Sequence, residues 1–375
     1  PLAVMSMATI TPLTPERSAL QQCGSEKWLA GWNWQLWGWS VLWITLHGGM
    51  VHLMARPLVP WVGNKEKLLP FIQQMIPPDT TQLTEAFGGS GALTLGIPPK
   101  AGRLDIYNDL NNNLFNAFCC VKERMNALIR ELRFFPVYGR VPFDLYRNFM
   151  AHEADFHRNI QEEREILDDP DNPCGFSLEQ IQEIHRILSE RDGLFDVQRA
   201  AAFLISAYGC YNGNIKSFGI QTVNVESILQ RAQEASARLQ SIVLENQDGL
   251  GFITRCGKGQ TVYADPPYFK TEKLYDVVFT PEQHLDLRER ARNCKGNLIL
   301  SYGNCPQAWE LYKENFFLFS LVRNNPMSQT SGATYEELII TNYDPRPYMN
   351  TQLNLFAPTP KTKWELVLIS TPKTH

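Results

Sequence analysis

The sequence predicts an α/β fold with a largely parallel sheet, interrupted by one insertion. Two observations carry this: short apolar runs alternate with helical stretches on both sides of the middle of the chain, and that alternation fails between about 135 and 258. A third says where the chemistry sits. The apolar run "TVYA" at 261–264 stops at Asp265-Pro266-Pro267-Tyr268. Adjacent prolines lack N–H donors and fix φ, so a central strand ends there and presents a carboxylate and an aromatic at its carboxyl end.

Bulk composition bounds the function. The chain has 375 residues, 44% apolar and 20% charged, which belongs to a globular protein. A formal charge of −4 excludes a polycationic surface, so any nucleic acid would bind through a local cleft. The eight cysteines form no C-x-x-C and no zinc spacing with histidine, and read as reduced, mostly buried cytoplasmic thiols.

The elements follow in order. Residues 1–53 form a Trp-rich extension, with six of the nine tryptophans between 28 and 43. Residues 28–46 are uncharged over 19 positions, yet tryptophan runs through the whole segment instead of marking two interfaces. The expectation is a non-native or extended terminus, not a membrane anchor. From Met54 the pattern alternates: strands at 81–87 and 103–107, a helix over 111–134, then strands at 260–264 and 296–301. Thr280-Pro281-Glu282-Gln283 signals a helix start, with an N-cap, a proline at the first position and Gln at the third. A helix near 306–314 and strands at 316–322 and 336–343 complete a domain made of 54–134 and 259–345. Residues 135–258 read as an inserted helix-and-hairpin module. Within it, 151–198 hold thirteen acidic and four basic residues, a solvated helical face. Residues 346–375 read as a tail.

Four local signals converge on a site. "WVGNK" spans Trp61 to Lys65. "TEAFGGSG" runs a strand through Glu85 and Phe87 into Gly88, Gly89 and Gly91, where backbone can approach a ligand. No G-K-[ST] follows, which speaks against a nucleoside triphosphate. Asp109 ends the next strand, twenty-odd residues after the first of those glycines, where a carboxylate holds ribose hydroxyls in dinucleotide folds or else caps the helix from 111. The fourth signal is Asp265-Pro266-Pro267-Tyr268.

From Trp61 to about Tyr343 the chain resembles the Dam-like (alpha group) N6-adenine-specific DNA methyltransferases, which use S-adenosylmethionine on a Rossmann-like methyltransferase sheet with an inserted target-recognition module. The order of glycine turn, insert and DPPY is the same. The resemblance implies that Trp61, Lys65, Glu85, Phe87, Gly89, Gly91, Asp109 and Asp265 hold the cofactor. The family's E-P-F-x-G-x-G stands here as Glu85-Ala86-Phe87-Gly88-Gly89-Ser90-Gly91, with Ala for the usual Pro. Asp265, Pro266 and Tyr268 would be catalytic, without a metal. "CYNGNIK" is similar to the family's [YF]-N-G hairpin, which implies Tyr211 and Asn212 at the gap left by a flipped base. Lys216 stands where relatives often carry a base-reading Arg; lysine lacks the fork for bidentate readout.

The chemistry of the motif stands beside the resemblance. The exocyclic amine of adenine is a poor nucleophile because its lone pair is delocalised into the ring. A carboxylate and a backbone carbonyl accepting its hydrogens return the pair to nitrogen, and Tyr268 offers a stacking face. An RNA adenine methyltransferase and an inactive DNA-binding relative remain alternatives. Lastly, Gln352-Leu353-Asn354-Leu355-Phe356 looks like the Q-L-x-L-F peptides that dock on the bacterial sliding clamp, so Gln352, Leu353, Leu355 and Phe356 are expected either to bind it or to pack back on the enzyme.

Overall fold

The computed structural model describes residues 54–61, 63–134, 139–170, 175–210, 215–219, 222–269, 279–324, 334–349 and 365–372. The Trp-rich stretch, Tyr211, Asn212 and the 352–356 motif lie outside them.

The chain opens with α1 (Leu69–Met75), β1 (Gln82–Glu85), α2 (Ala92–Gly96) and β2 (Leu104–Asn108). Next come α3 (Asn112–Glu123) and α4 (Met125–Phe134). The single helix expected over 111–134 is therefore two. Arg124, at φ −126° and ψ 30°, breaks it, and its guanidinium turns to the Gly193 carbonyl at 2.8 Å. Helices α5 (Arg140–Ala151), α6 (Glu153–Asp168), α7 (Leu178–Gly209) and α8 (Val225–Leu239) follow. The second half of the molecule holds β3 (Ile242–Glu245), α9 (Gly249–Arg255), β4 (Gln260–Ala264), α10 (Pro281–Asn293), β5 (Asn297–Gly303) and α11 (Pro306–Tyr312). It closes with β6 (Phe317–Asn324), β7 (Thr334–Thr341), α12 (Arg346–Met349) and β8 (Glu365–Ser370). The start of α10 is the expected one: Thr280 Oγ1 accepts from Gln283 N, and the Gln283 side chain accepts from Thr280 N.

These strands form one eight-stranded sheet in the order β3-β2-β1-β4-β5-β7-β6-β8. Strands β3, β2, β1, β4 and β5 are mutually parallel, while β7 runs antiparallel to both β5 and β6. Side chains alternate between two buried faces, as a sheet covered on both sides requires. Val262, Ala264, Leu298, Leu300 and Leu338 pack with α9, α10 and α11, whereas Tyr263, Ile299 and Ile339 pack with α1. Helices α3, α7 and α8 extend that second layer over β2 and β3.

Two boundaries differ from expectation. Residues 242–245, assigned from sequence to the module at 135–258, pair with β2 as an edge strand, Ile242 against Asp105 and Val243 against Ile106. With four residues and only Ile242 buried, that strand carries no readable alternation. The 32-residue α7 also serves both parts. Its second half, Val197 to Ala207, is buried against α3 and α8, while Leu188 in its first half packs with Ile160 and Leu167 of α6. The stretch that stands apart from the sheet is thus 140–196. The tail also contains structure, since β8 pairs antiparallel with β6. Of the six described cysteines, all free, Cys120, Cys210 and Cys256 are buried and Cys119, Cys294 and Cys305 only partly so. Among the described residues no helix is long and apolar enough to cross a membrane.

Candidate active site

Chain direction reverses between β1 and β4: from β1 the chain works outward through β2 to β3, and from β4 it works the other way to β5. Such a switch point opens a crevice at the carboxyl ends of the two central strands. The glycine turn leaves β1 there, and Asp265 leaves β4 beside it.

The turn is built from backbone. Gly89 and Gly91 have φ +50° and +71°, and Gly91 is the N-cap of α2. A Cβ on Gly89 would stand 3.0 Å from Trp61 Cδ1, and one on Gly88 would collide with the Tyr107 ring. Asp109 locks the turn from β2: its Oδ2 accepts from Gly89 N at 2.8 Å and its Oδ1 from Asn111 N at 2.8 Å. Asn111, not Asp109, caps α3, accepting from Leu114 N. Burial pushes the Asp109 carboxyl upward, opposed by those two hydrogen bonds.

Glu85 has a structural position the sequence did not reveal. It is 3% exposed, and its carboxyl accepts from Leu93 N at 3.2 Å, from Thr94 N at 2.9 Å and from Thr94 Oγ1. Both oxygens are thus engaged by the first turn of α2. Desolvation raises its carboxyl to about 7, against the pull of the Thr94 and Leu93 hydrogen bonds.

Lys65 is drawn in by its neighbours. Its carbonyl accepts from Leu68 N and Leu69 N as α1 begins, and Asn64 ties the same loop to Ser90 of the glycine turn. The buried Lys65 ammonium donates to the Gly63 carbonyl at 2.6 Å and pairs with Asp265 Oδ2 at 2.8 Å. It also lies 4.9 Å from the centroid of Tyr268. Asp265 Oδ1 accepts from Ser301 Oγ at 2.7 Å and lies 2.9 Å from Tyr268 Oη; Ser301 Oγ is in turn 2.9 Å from the Tyr263 hydroxyl. Pro266 is buried at the strand end, and Phe87 is half-buried, edge-on to Phe279 at 6.2 Å.

The structure thus brings Trp61, Lys65, Gly89, Gly91, Asp109, Asp265, Pro266 and Tyr268 to one crevice. Sequence reasoning missed Ser301, Tyr263, Asn108 and Glu337. Buried Asn108 ties the strand ends together, donating to the Ala86 and Gln247 carbonyls and accepting from Gln247 N. The "ND" before "LNNNL" was the available signal for it. Glu337 of β7 approaches Tyr268 Oη at 2.9 Å, and nothing in "EELIITNY" singles it out. Lys216 is exposed and lies between Cys210 and Phe218, which pair with each other.

A sheet of this order, with a glycine turn and a strand-end carboxylate at its switch point, defines a Rossmann-like methyltransferase. The family model of the D12 class N6 adenine-specific DNA methyltransferases matches residues 61–329. The chain belongs to that family and is an adenine-specific DNA methyltransferase.

Proposed function

We propose that the methyl donor is S-adenosylmethionine and that the acceptor adenine is extruded from duplex DNA to meet Asp265, Pro266 and Tyr268. The observation that supports this most is Asp265 itself. It stands at the switch point, charge-paired with Lys65 at 2.8 Å, with Ser301 donating to its other oxygen. Two hydroxyls on Oδ1 hold the carboxylate plane, and Oδ2, shared with Lys65, has spare acceptor capacity. The carboxylate and the Pro266 carbonyl accept the amine hydrogens and restore nucleophilicity to N6. The Tyr268 ring supplies a stacking face.

The crevice fits the donor. The glycine turn offers bare backbone, with Gly89 and Gly91 at φ +50° and +71°, so a ligand can approach the main chain there. Trp61, Phe87 and Gly91 form the wall, Lys65 and Asp265 its charged end, and Asp109 keeps lone pairs for ribose hydroxyls. Glu85 acts from behind the turn by holding α2. When bound, S-adenosylmethionine supplies an electrophilic methyl group on a sulfonium. Placement of the amine in line with it is a proximity effect of about 7–11 kcal/mol.

Residues 140–196, together with the segment between Cys210 and Phe218, serve as the target-recognition module in this reading. The loop closed by Cys210 and Phe218 carries Tyr211 and Asn212 to fill the vacated stack, and Lys216 to contact base or phosphate. Ile215, β-branched at φ +52°, is a strained position of the kind that collects at ligand-contacting loops. The tail motif 352–356 adds a sliding clamp as a partner, which a synthetic 349–360 peptide tests directly.

The decisive experiment measures transfer of labelled methyl to duplex oligonucleotides. Asp265→Asn should lose at least a hundredfold in kcat while still binding duplex; wild-type activity in this variant refutes the assignment. Tyr211→Ala should lose more on paired than on mismatched adenine, because extrusion then costs less.

A further inference from the structure

The residue that follows Tyr268 leads to a buried histidine on α10. The Phe269 ring stacks on the imidazole of His284, with 3.7 Å between centroids and 24° between planes. His284 is 1% exposed, a buried titratable group that the catalytic reading leaves without a role. Phe279, just before α10, meets the same imidazole edge-on at 4.8 Å. Both neighbours of segment 270–278, Phe269 and Phe279, therefore rest on one ring.

Hydrogen bonding engages that ring on one side only. Its Nδ1 lies 2.6 Å from the Tyr302 hydroxyl of β5, while among the described residues Nε2 has no hydrogen-bond partner. Burial pushes the imidazole down to about 4, so it is neutral. A phenylalanine would fill the same space among Phe269, Phe279 and Tyr302 and leave no nitrogen unpaired, so packing alone does not call for histidine. What histidine adds is the bond to Tyr302. That residue adjoins Ser301, which donates to Asp265 Oδ1 at 2.7 Å. The Tyr302 ring in turn stacks 5.6 Å from Tyr268 and 5.8 Å from Phe269, at 27° and 24°.

We propose that His284 is a positioning residue for methyl transfer: its hydrogen bond to Tyr302 fixes the plane on which Phe269 stacks, and so ties the end of the Asp265–Tyr268 run to β5. An imidazole bonded at Nδ1 cannot turn about its Cβ–Cγ bond without breaking that bond. Phe269 and Tyr302 are thereby held near parallel, and Tyr268, stacked on Tyr302, keeps one tilt as the face for the base. No proton moves in this role. It rests on the reading that Asp265 and Tyr268 meet the target base.

Stability and rate should separate in the test. The pair His284→Phe/Tyr302→Phe replaces both bonded partners by apolar rings of nearly the same shape, which is close to neutral for folding. Its melting temperature should stay within about 2 °C of wild type. Its kcat should still fall about tenfold, with the S-adenosylmethionine KM within about twofold, since small misplacements of reacting groups cost up to about a hundredfold. If His284 only packs, this variant keeps the wild-type kcat, and that result overturns the proposal. Phe269→Leu removes the stack from the other side, and in that background the pair should cost nothing further; additive losses also overturn it. Should the pair fail to fold, Tyr302→Phe alone carries the test, because it keeps every ring and removes one hydroxyl. Its kcat should fall at least about threefold at the same S-adenosylmethionine KM, and an unchanged kcat overturns the positioning role. A failed catalytic reading would show separately, as full activity in Asp265→Asn.

Discussion

Breaking the Lys65–Asp265 pair should destabilise the enzyme as well as disarm it. The side chains are 8% and 16% exposed, and Nζ lies 2.8 Å from Oδ2. At an effective dielectric of about 20 the attraction is roughly 6 kcal/mol before desolvation is counted. Removing one partner leaves the other charged and buried, a loss of about 3–5 kcal/mol. Lys65→Met should therefore lower the melting temperature by about 4–6 °C, with a further contribution from the Gly63 carbonyl, which loses its 2.6 Å donor. Asp265→Ala and Asp265→Asn both leave Lys65 without its counter-charge, so loss of activity in either is read beside a melt. Asn keeps the side-chain shape and an acceptor oxygen for Lys65 and Ser301, which makes it the better probe of mechanism. The double variant Lys65→Met/Asp265→Asn removes both charges and should be more stable than the two single losses add up to, by about 1–3 kcal/mol. Denaturant melts of wild type, both singles and the double close the cycle. Additive losses, or a Lys65→Met loss under about 1 kcal/mol, would refute the view that this is a desolvated, mutually dependent pair.

Three further outcomes follow from the same geometry. Gly91→Ala should cost about 2–4 kcal/mol and weaken cofactor binding, because φ is +71° and the new Cβ would lie 2.9 Å from Phe118 Cζ; Gly102→Ala, at φ +77° with nothing within 4 Å, should cost about 1 kcal/mol, and equal losses would discount the packing argument. Glu85, raised to about 7 by burial, binds its proton more tightly when folded, so its stabilising effect is complete below its ordinary value of 4.5 and is lost as pH rises through about 7. That is on the order of 3 kcal/mol, and a stability–pH curve should be flatter over this window in Glu85→Gln; an unchanged slope would mean the group titrates normally. Asp109→Ala strands the Gly89 and Asn111 amides, at about 1–3 kcal/mol each, and calorimetry should show S-adenosylmethionine affinity falling more than tenfold, an outcome that unchanged affinity would contradict.

The amino-acid sequence by itself determined the fold class, the strand-end placement of Asp109 and Asp265, the glycine turn and the start of α10, because each is written in local chemistry. Prolines end strands, glycines take φ > 0, and Thr-Pro-Glu-Gln satisfies the free amides of a helix start whatever surrounds it. Tertiary structure alone decided the strand order, which sets β1 beside β4 and so brings Lys65, Gly89 and Asp265 together from far along the chain. It also decided the fate of edge strands β3 and β8, too short or too half-exposed to show a pattern, and the shared use of α7 by sheet and insert. Glu85 stood out in the sequence as a strand-end carboxylate, but its grip on the first turn of α2 did not, and Glu337 read as one more strand residue although it touches Tyr268. The reason is common to all of these. A side chain's partner across the sheet is fixed by register and layer packing, long-range terms that leave no periodic mark on the residues they join.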